Sequence, residues 1–253
     1  MGMTRGPIAV ALDAPDLGTM TTWAAAVGPH VSTLKVGLEA YLRDGAAAVE
    51  AARTASRDSG GEPCELFLDL KLHDIPATVG GAARSVASLS PDYLTVHASG
   101  GPDMVAAAAR ELPDTRIVAV TVLTSLTADD LVRLGLMPTG ADADDVRALA
   151  ERLAVESVAA GARAIVCSPE EVAGIRAALR EHLPGRADDT VLITPGVRPA
   201  GADLGDQRRV ATPSEALARG ADLLVIGRPI TGAPDPAVAA ARIVEEIADD
   251  RGR

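Results

Sequence analysis

Residues 65–78 read ELFLDLKLHDIPAT and place three ionisable side chains around the end of one predicted strand. Leucine occupies every second position from 66 to 72, and alternate side chains of a strand point to opposite faces. Asp69 and Lys71 therefore share the other face, roughly 7 Å apart at ~3.3 Å per residue. Asp74 follows just past the strand, before a proline that can open a helix. Lone buried charges are costly, so this group is either a structural salt bridge or a catalytic site. The presence of three ionisable groups at one strand end favours a catalytic site.

Two earlier predicted strands also carry charges at their ends. The first strand ends in Asp13, and the second carries Lys35 close to its end. Consecutive strands of a parallel sheet are usually neighbours, ~4.8 Å apart. We therefore expect Asp13, Lys35, Asp69 and Lys71 to converge with alternating sign. Taken singly, Asp13 or Lys35 would be interpreted as a cap or a surface charge.

The last two predicted strands are followed by residues suited to an anion. Strand eight ends in Gly227 and Arg228, and the loop after strand seven carries Arg198 and Gln207. A backbone N–H at Gly227 and a bidentate guanidinium would suit a phosphate dianion. The alternative is a surface arginine near a turn. Thr124, after strand five, could offer a hydroxyl to a ring or an amide, or could be an ordinary strand-end cap.

Eight short apolar segments alternate with helical segments along the chain. The predicted strands are 8–13, 32–37, 65–72, 93–98, 116–123, 164–168, 191–197 and 222–228. The predicted helices are 19–28, 39–57, 78–88, 103–112, 127–134, 144–160, 169–182, 213–219 and 236–249. This alternation predicts one α/β domain over residues 1–253, a (β/α)8 TIM barrel with its active site at the C-terminal strand ends. An open doubly wound sheet is the alternative, but no Gly-x-Gly-x-x-Gly follows strand one.

Composition excludes several classes of partner. The chain of 253 residues has 24 basic and 35 acidic residues, and its net charge of −11 disfavours nonspecific binding to nucleic acid or to an anionic membrane. Cys64 and Cys167 form neither a disulfide framework nor a metal signature. No stretch approaches ~18 consecutive apolar residues, and the first residues lack a signal-peptide pattern. We expect a soluble, cytoplasmic protein.

Together these motifs resemble the orotidine 5′-monophosphate decarboxylase family. The matching pieces, in the family's order over residues 8 to about 231, are Ala-Leu-Asp13, Leu-Lys35-Val-Gly, Phe-Leu-Asp69-Leu-Lys71-Leu-His-Asp74-Ile-Pro, Val-Thr-Val-Leu-Thr124-Ser, Pro-Gly-Val-Arg198-Pro, Gly-Asp-Gln207 and Val-Ile-Gly227-Arg228-Pro-Ile. A wider group of phosphosugar barrels shares the Asp-x-Lys-x-x-Asp core. Joined to Lys35 and to the Pro-Gly-Val-Arg and Gly-Asp-Gln pieces, it is highly specific.

The resemblance implies conversion of orotidine 5′-monophosphate to UMP and CO2, the last step of de novo pyrimidine nucleotide synthesis, with no metal or organic cofactor. It implies that Lys71 donates a proton to pyrimidine C6 as the carboxylate leaves. Asp69 is similar to the carboxylate that lies near the departing group and holds Lys71. Lys35 and Asp13 resemble the ribose-contacting pair.

The resemblance also implies a homodimer with shared active sites, because Asp74 and Thr78 look like residues given to the neighbouring subunit's site. The remaining substrate contacts implied are Thr124 to the pyrimidine, and Arg198, Gln207 and Arg228 to the phosphate and the closing loop. Glycines within residues 198–209 suit a lid over the site.

Two alternatives remain. A magnesium-dependent phosphosugar decarboxylase or aldolase of the same barrel group would have an acidic metal ligand where Lys35 stands, since Mg²⁺ prefers carboxylate oxygens. A non-catalytic nucleotide- or phosphosugar-binding barrel would need the phosphate contacts but neither Lys71 nor Asp69.

Overall fold

The fold is a closed barrel of parallel strands, seen in a computed structural model that describes residues 5–58, 63–198 and 211–251. Within these residues eight strands pair in sequence order, and the last pairs with the first. The predicted (β/α)8 barrel is therefore confirmed. The strands are β1 (Gly6–Ala11), β2 (Val31–Gly37), β3 (Glu65–Leu72), β4 (Tyr93–His97), β5 (Arg116–Val120), β6 (Ala164–Val166), β7 (Val191–Thr194) and β8 (Leu223–Ile226).

Helices lie between the strands in the same order. They are α1 (Leu17–Val27), α2 (Leu38–Asp44), α3 (Ala46–Asp58), α4 (Pro76–Ser85), α5 (Pro102–Glu111), α6 (Ala128–Arg133), α7 (Ala143–Ala159), α8 (Val172–His182), α9 (Pro213–Ala218), α10 (Arg228–Thr231) and α11 (Pro236–Arg251). Short 3-10 turns cover Ala87–Leu89 and Ala98–Gly100.

Several predicted boundaries were wrong. The helix expected over 39–57 is two helices, because Gly45 adopts a left-handed backbone (φ 58°) that interrupts the first. The helix expected over 78–88 begins two residues earlier, at Pro76, and ends in a 3-10 turn. Strands β5 to β8 end two or three residues before the predicted positions, since their last residues leave the ladder at the rim of the barrel.

Each strand divides its side chains between two apolar layers. The even-numbered leucines of β3 pack against the helices, as their alternation predicted, with Leu66 and Leu68 almost fully buried. Phe67 and Tyr93 instead belong to a smaller cluster, together with residues of β1 and of β5 to β8, which fills the inside of the barrel. The inner layer therefore forms an apolar floor, and the polar residues Asp69 and Thr95 lie two positions beyond Phe67 and Tyr93 on their strands.

Candidate active site

Four charged side chains meet at the C-terminal ends of β1, β2 and β3. The ammonium of Lys35 lies 3.7 Å from Oδ1 of Asp13 and 3.1 Å from Oδ2 of Asp69. The ammonium of Lys71 lies 2.8 Å from Oδ1 of Asp69 and 2.9 Å from its Oδ2. The structure thus brings together the residues expected to converge, as a chain of alternating charge that we call the ion chain.

Burial differs along the ion chain. The side chains of Lys35 and Asp69 are 9% and 11% exposed, whereas that of Lys71 is 31% exposed and that of Asp13 is 48% exposed. The two inner charges are therefore withdrawn from water and depend on their partners. Lys71 is the more exposed of the two cations of the ion chain.

Electrostatic coupling keeps the inner pair ionised. Burial raises the pKa of Asp69, but the charges of Lys35 and Lys71 outweigh burial and lower that pKa to about 2. Burial lowers the pKa of Lys35, but Asp69 and Asp13 outweigh it, so that the pKa rises above its usual 10.5. A carboxylate held between two ammonium groups is therefore present throughout the neutral pH range.

Glycine at position 37 makes room for the ion chain. A Cβ atom at Gly37 would lie 2.6 Å from Oδ1 of Asp13 and 3.0 Å from the ammonium of Lys35. Distances under 3.0 Å are not seen for real Cβ contacts, so a side chain here would displace the Asp13 carboxylate. Gly37 therefore belongs to the site because its lack of a side chain leaves space for the Asp13 carboxylate.

The ion chain lines a cavity of about 320 Å³. Phe67 lies among its apolar lining residues, and all four members of the ion chain face it. Ligand pockets for small molecules begin at about this volume. The cavity therefore offers an apolar floor with charged groups at one side, an arrangement suited to a flat polar ring.

The other side of the same cavity carries the residues predicted to bind an anion. Arg198, Gly227 and Arg228 line it, and so does Thr124. Arg198 and Arg228 follow strands β7 and β8, which lie across the closed barrel from β3 and β4. Gln207, together with most of the predicted lid over 198–209, lies outside the described residues.

Asp74 and Thr78 are not among the described residues that line this cavity. Both side chains are exposed on the rim that follows β3. The carboxylate of Asp74 accepts a 2.6 Å hydrogen bond from the backbone N–H of Ile75, whose own side chain is 66% exposed. The segment thus presents a carboxylate, a hydroxyl and an apolar side chain outward.

Thr95 and His97 on β4 contact or face the ion chain and were not predicted. The hydroxyl of Thr95, which is completely buried, donates a 3.0 Å hydrogen bond to Oδ1 of Asp69. The ring of His97 lies 5.3 Å from that of His73, and burial together with the charges of His73 and Lys71 lowers the pKa of His97. Within a run such as Tyr-Leu-Thr-Val-His, nothing local distinguishes these residues from ordinary strand positions.

The described residues offer little to a metal ion. No group of three or more His, Cys, Asp and Glu side chains there is placed to hold a metal ion. At the centre of the site, the ammonium of Lys35 lies between the carboxylates of Asp13 and Asp69, where a metal ion would otherwise bind them. In the same described segments, no helix combines the length and apolarity needed to span a bilayer.

Comparison with known proteins shows one consistent family. Residues 6–243 match the model of the Orotidine 5'-phosphate decarboxylase / HUMPS family. The chain is 62% identical over 241 residues to "Orotidine 5'-phosphate decarboxylase" of Thermobifida fusca (95% of each chain). It is 52% identical over 250 residues to the protein of that name from Frankia casuarinae (94% of this chain, 86% of the other). A crystal structure of orotidine 5'-phosphate decarboxylase from Lactobacillus acidophilus matches with a TM-score of 0.73 and 30% identity, over 96% of this chain and 99% of that one.

Proposed function

This chain belongs to the Orotidine 5'-phosphate decarboxylase / HUMPS family, and we propose that its ion chain carries out the family's reaction without a metal or organic cofactor. It decarboxylates orotidine 5′-monophosphate to UMP and CO2, a step of pyrimidine biosynthesis. The observation on which the residue roles rest is the partly exposed ammonium of Lys71, held 2.8 Å from the buried carboxylate of Asp69 at the wall of the cavity.

Lys71 supplies the positive charge and the proton that the reaction needs. When the bond between C6 and the carboxylate breaks, its electron pair stays on a ring carbon that has no good resonance sink. A fixed ammonium beside that carbon stabilises this charge more in the transition state than in the substrate. The proton of Lys71 then passes to C6, UMP forms, and the neutral amine recovers a proton from solvent.

Asp69 has two functions in this proposal. It holds the ammonium of Lys71 by contacts from both of its oxygens, at 2.8 and 2.9 Å. Because its pKa is about 2, it is ionised at neutral pH and repels a substrate carboxylate placed beside it. Departure of CO2 relieves that repulsion, so the interaction favours the transition state over the bound substrate.

The ribose and phosphate of the substrate account for the rest of the cavity. Lys35 and Asp13 offer a donor and an acceptor to ribose hydroxyls at the start of the ion chain. Arg198 and Arg228, with the backbone of Gly227, face the cavity from the other side and suit the phosphate dianion. Gln207 completes this group by resemblance, and Thr124 contacts the pyrimidine.

We further propose a homodimer in which Asp74 and Thr78 complete the partner's site. Both residues are exposed and neither lines the cavity of its own chain, and they lie next to an isoleucine that is 66% exposed. On the neighbouring part of the rim, α2 exposes Leu38 (44%) and Leu42 (78%). Exposed apolar side chains beside functional polar groups are typical of an interface between subunits.

Mixing two inactive variants tests the shared site. Chains with Lys71→Ala and chains with Asp74→Ala are unfolded together and refolded, so that half of the dimers become hybrids with one intact site. We expect recovery of about a quarter of wild-type activity. The matched control mixes Lys71→Ala with Asp69→Ala, which lie in the same chain's site and should give no recovery. Equal results in both mixtures would reject the shared site.

The chemistry itself is tested by following the absorbance of orotidine 5′-monophosphate with purified protein. We expect conversion to UMP at the same rate with and without EDTA. Activity that EDTA removes and Mg²⁺ restores would favour the magnesium-dependent alternative. Binding of UMP without any turnover would favour the non-catalytic barrel.

Two smaller proposals complete the functional assignment. Residues 1–253 form a single domain, because the paired strands and intervening helices extend from β1 to α11. The protein acts in the cytoplasm, because its substrate and product are nucleotides whose charged phosphate keeps them in the compartment where they are made.

A further inference from the structure

Thr95 is the polar inner residue of β4 that touches the ion chain, and its side chain is 0% exposed. Its hydroxyl makes two hydrogen bonds to β3. The Oγ1 atom accepts from the backbone N–H of Lys71 at 2.8 Å and donates to Oδ1 of Asp69 at 3.0 Å. One side chain therefore contacts the backbone of the predicted proton donor and the carboxylate that holds it.

The backbone of β3 is irregular where Thr95 contacts it. Leu68 pairs with Leu94, but the next pair is Leu72 with Val96, so β3 advances four residues while β4 advances two. Such a bulge re-aims side chains and leaves backbone groups without ladder partners. Within it, Lys71 has a left-handed backbone (φ 48°), which is rare for a residue other than glycine and concentrates at functional sites.

The hydroxyl of Thr95 supplies the acceptor that the bulge removes. A buried backbone N–H needs a hydrogen-bond partner, and the N–H of Lys71 points to Oγ1 rather than to a carbonyl of β4. This bond fixes the left-handed turn from which the side chain of Lys71 returns to Asp69. Without it, the chain at residue 71 would be free to adopt an ordinary extended conformation, with the ammonium aimed elsewhere.

The same hydroxyl fixes the rotation of the carboxylate. Oδ1 of Asp69 accepts from both Thr95 and Lys71, which leaves Oδ2 facing Lys35 at 3.1 Å. A threonine hydroxyl has one proton to donate and lone pairs to accept, so it can serve both contacts at once. Valine has the same shape but can serve neither.

We propose that Thr95 is a positioning residue for the decarboxylation, acting through Lys71 and Asp69. It holds the left-handed backbone of the proton donor and the orientation of the carboxylate, and it does not itself touch the substrate. The inference rests on the proposed function, because the geometry that Thr95 holds matters to the rate only if Lys71 and Asp69 do the chemistry.

The test compares Thr95→Val, which removes the hydroxyl, with Thr95→Ser, which keeps it. Misplacing a catalytic group by about 1 Å costs on the order of 100-fold in rate. We therefore expect Thr95→Val to lower kcat about 100-fold with KM within threefold of wild type, because the phosphate and ribose contacts come from other strands. Thr95→Ser should retain kcat within about fivefold. The matched control is Thr115→Val. It removes a buried hydroxyl, just before β5, that donates a hydrogen bond to the carbonyl of Pro91, and the kcat of this variant should equal that of wild type.

Several results would overturn the inference. They are a folded Thr95→Val enzyme with kcat within threefold of wild type, a Thr95→Ser enzyme as slow as Thr95→Val, or an equal loss of kcat in Thr115→Val. Should Thr95→Val not fold, Thr95→Cys replaces it, because a thiol is a weak donor and acceptor. Its kcat should then fall at least tenfold, and a smaller decrease would count against the role.

A readout without turnover separates this inference from the proposed function. A crystal structure of Thr95→Val should show the backbone of Lys71 out of the left-handed region, or its ammonium displaced from Asp69. Unchanged geometry at both residues would overturn the positioning role even if the wild-type enzyme is active. Conversely, absence of turnover by the wild type would refute the proposed function and leave the geometric result standing.

Discussion

Replacing Asp69 by asparagine tests whether this carboxylate holds the ion chain together. The substitution conserves the size of the side chain and removes the negative charge between the ammonium groups of Lys35 and Lys71, which lie 3.1 and 2.8 Å away. Lys35 would then remain buried with Asp13 as a charged neighbour at 3.7 Å. A buried charge that loses its partner is strongly destabilising.

The magnitude follows from the coupling of these charges. Lowering the pKa of Asp69 from 3.8 to about 2 corresponds to about 2 kcal/mol of preference for the folded state, at ~1.36 kcal/mol for each pH unit. Leaving a buried cation unpaired raises the expected loss, and values of about 3–5 kcal/mol are typical. We therefore expect Asp69→Asn to lower the free energy of unfolding by about 2 to 5 kcal/mol at pH 7.

The dependence on pH gives the sign of the effect. Because the folded pKa of Asp69 lies below its unfolded value, its stabilising contribution is complete above about pH 4 and is lost as the pH falls toward 2. The difference in unfolding free energy between wild type and Asp69→Asn should therefore narrow over this interval. Denaturant unfolding of both proteins, followed by circular dichroism at a series of pH values, measures this difference in unfolding free energy.

Asp13→Asn is the matched control for this experiment. Asp13 also faces Lys35, but at 3.7 Å and with a side chain that is 48% exposed. Exposed ion pairs contribute about 1 kcal/mol or less, so this variant should lose no more than that. Equal losses for the two variants, or a loss under ~1 kcal/mol for Asp69→Asn, would refute the view that Asp69 binds two buried or half-buried ammonium groups.

Two further substitutions probe the two sides of the cavity. Gly37→Ala places a methyl group 2.6 Å from Oδ1 of Asp13 and should lower kcat/KM by about 10- to 100-fold, whereas Gly185→Ala, with no atom within 4 Å of the new Cβ, should leave it unchanged. Arg228→Ala should raise KM by about 100-fold through loss of charge-assisted bonds to phosphate, whereas Arg219→Ala, outside the cavity, should leave KM unchanged. Steady-state kinetics with orotidine 5′-monophosphate measures the effects of both the Gly37 and the Arg228 substitutions. An unchanged KM in Arg228→Ala would show that this residue does not bind the phosphate.

Sequence patterns predicted the parts of the site that depend on strand alternation and on strand order. The period of two in residues 65–72, and the succession of apolar runs, were enough to place Asp13, Lys35, Asp69 and Lys71 at one end of a barrel. These features are local or topological, so that no detail of the packing was needed.

The remaining parts depend on how neighbouring strands pair. The bulge between Leu68 and Leu72 and the left-handed backbone of Lys71 arise from the register between β3 and β4, which the alternation of either strand alone does not fix. Thr95 could therefore not be distinguished from other threonines in strands. The separate helix α10 at Arg228 was likewise missed, because a proline after a strand more often indicates a turn.

The central claim is that the ammonium of Lys71 performs the decarboxylation, and the most direct measurement is turnover by Lys71→Ala alongside its binding of UMP. We expect turnover of orotidine 5′-monophosphate to be nearly abolished while UMP still binds, because the phosphate and ribose contacts come from other residues. Substantial remaining turnover by a pure Lys71→Ala enzyme would contradict the assignment of Lys71 as proton donor.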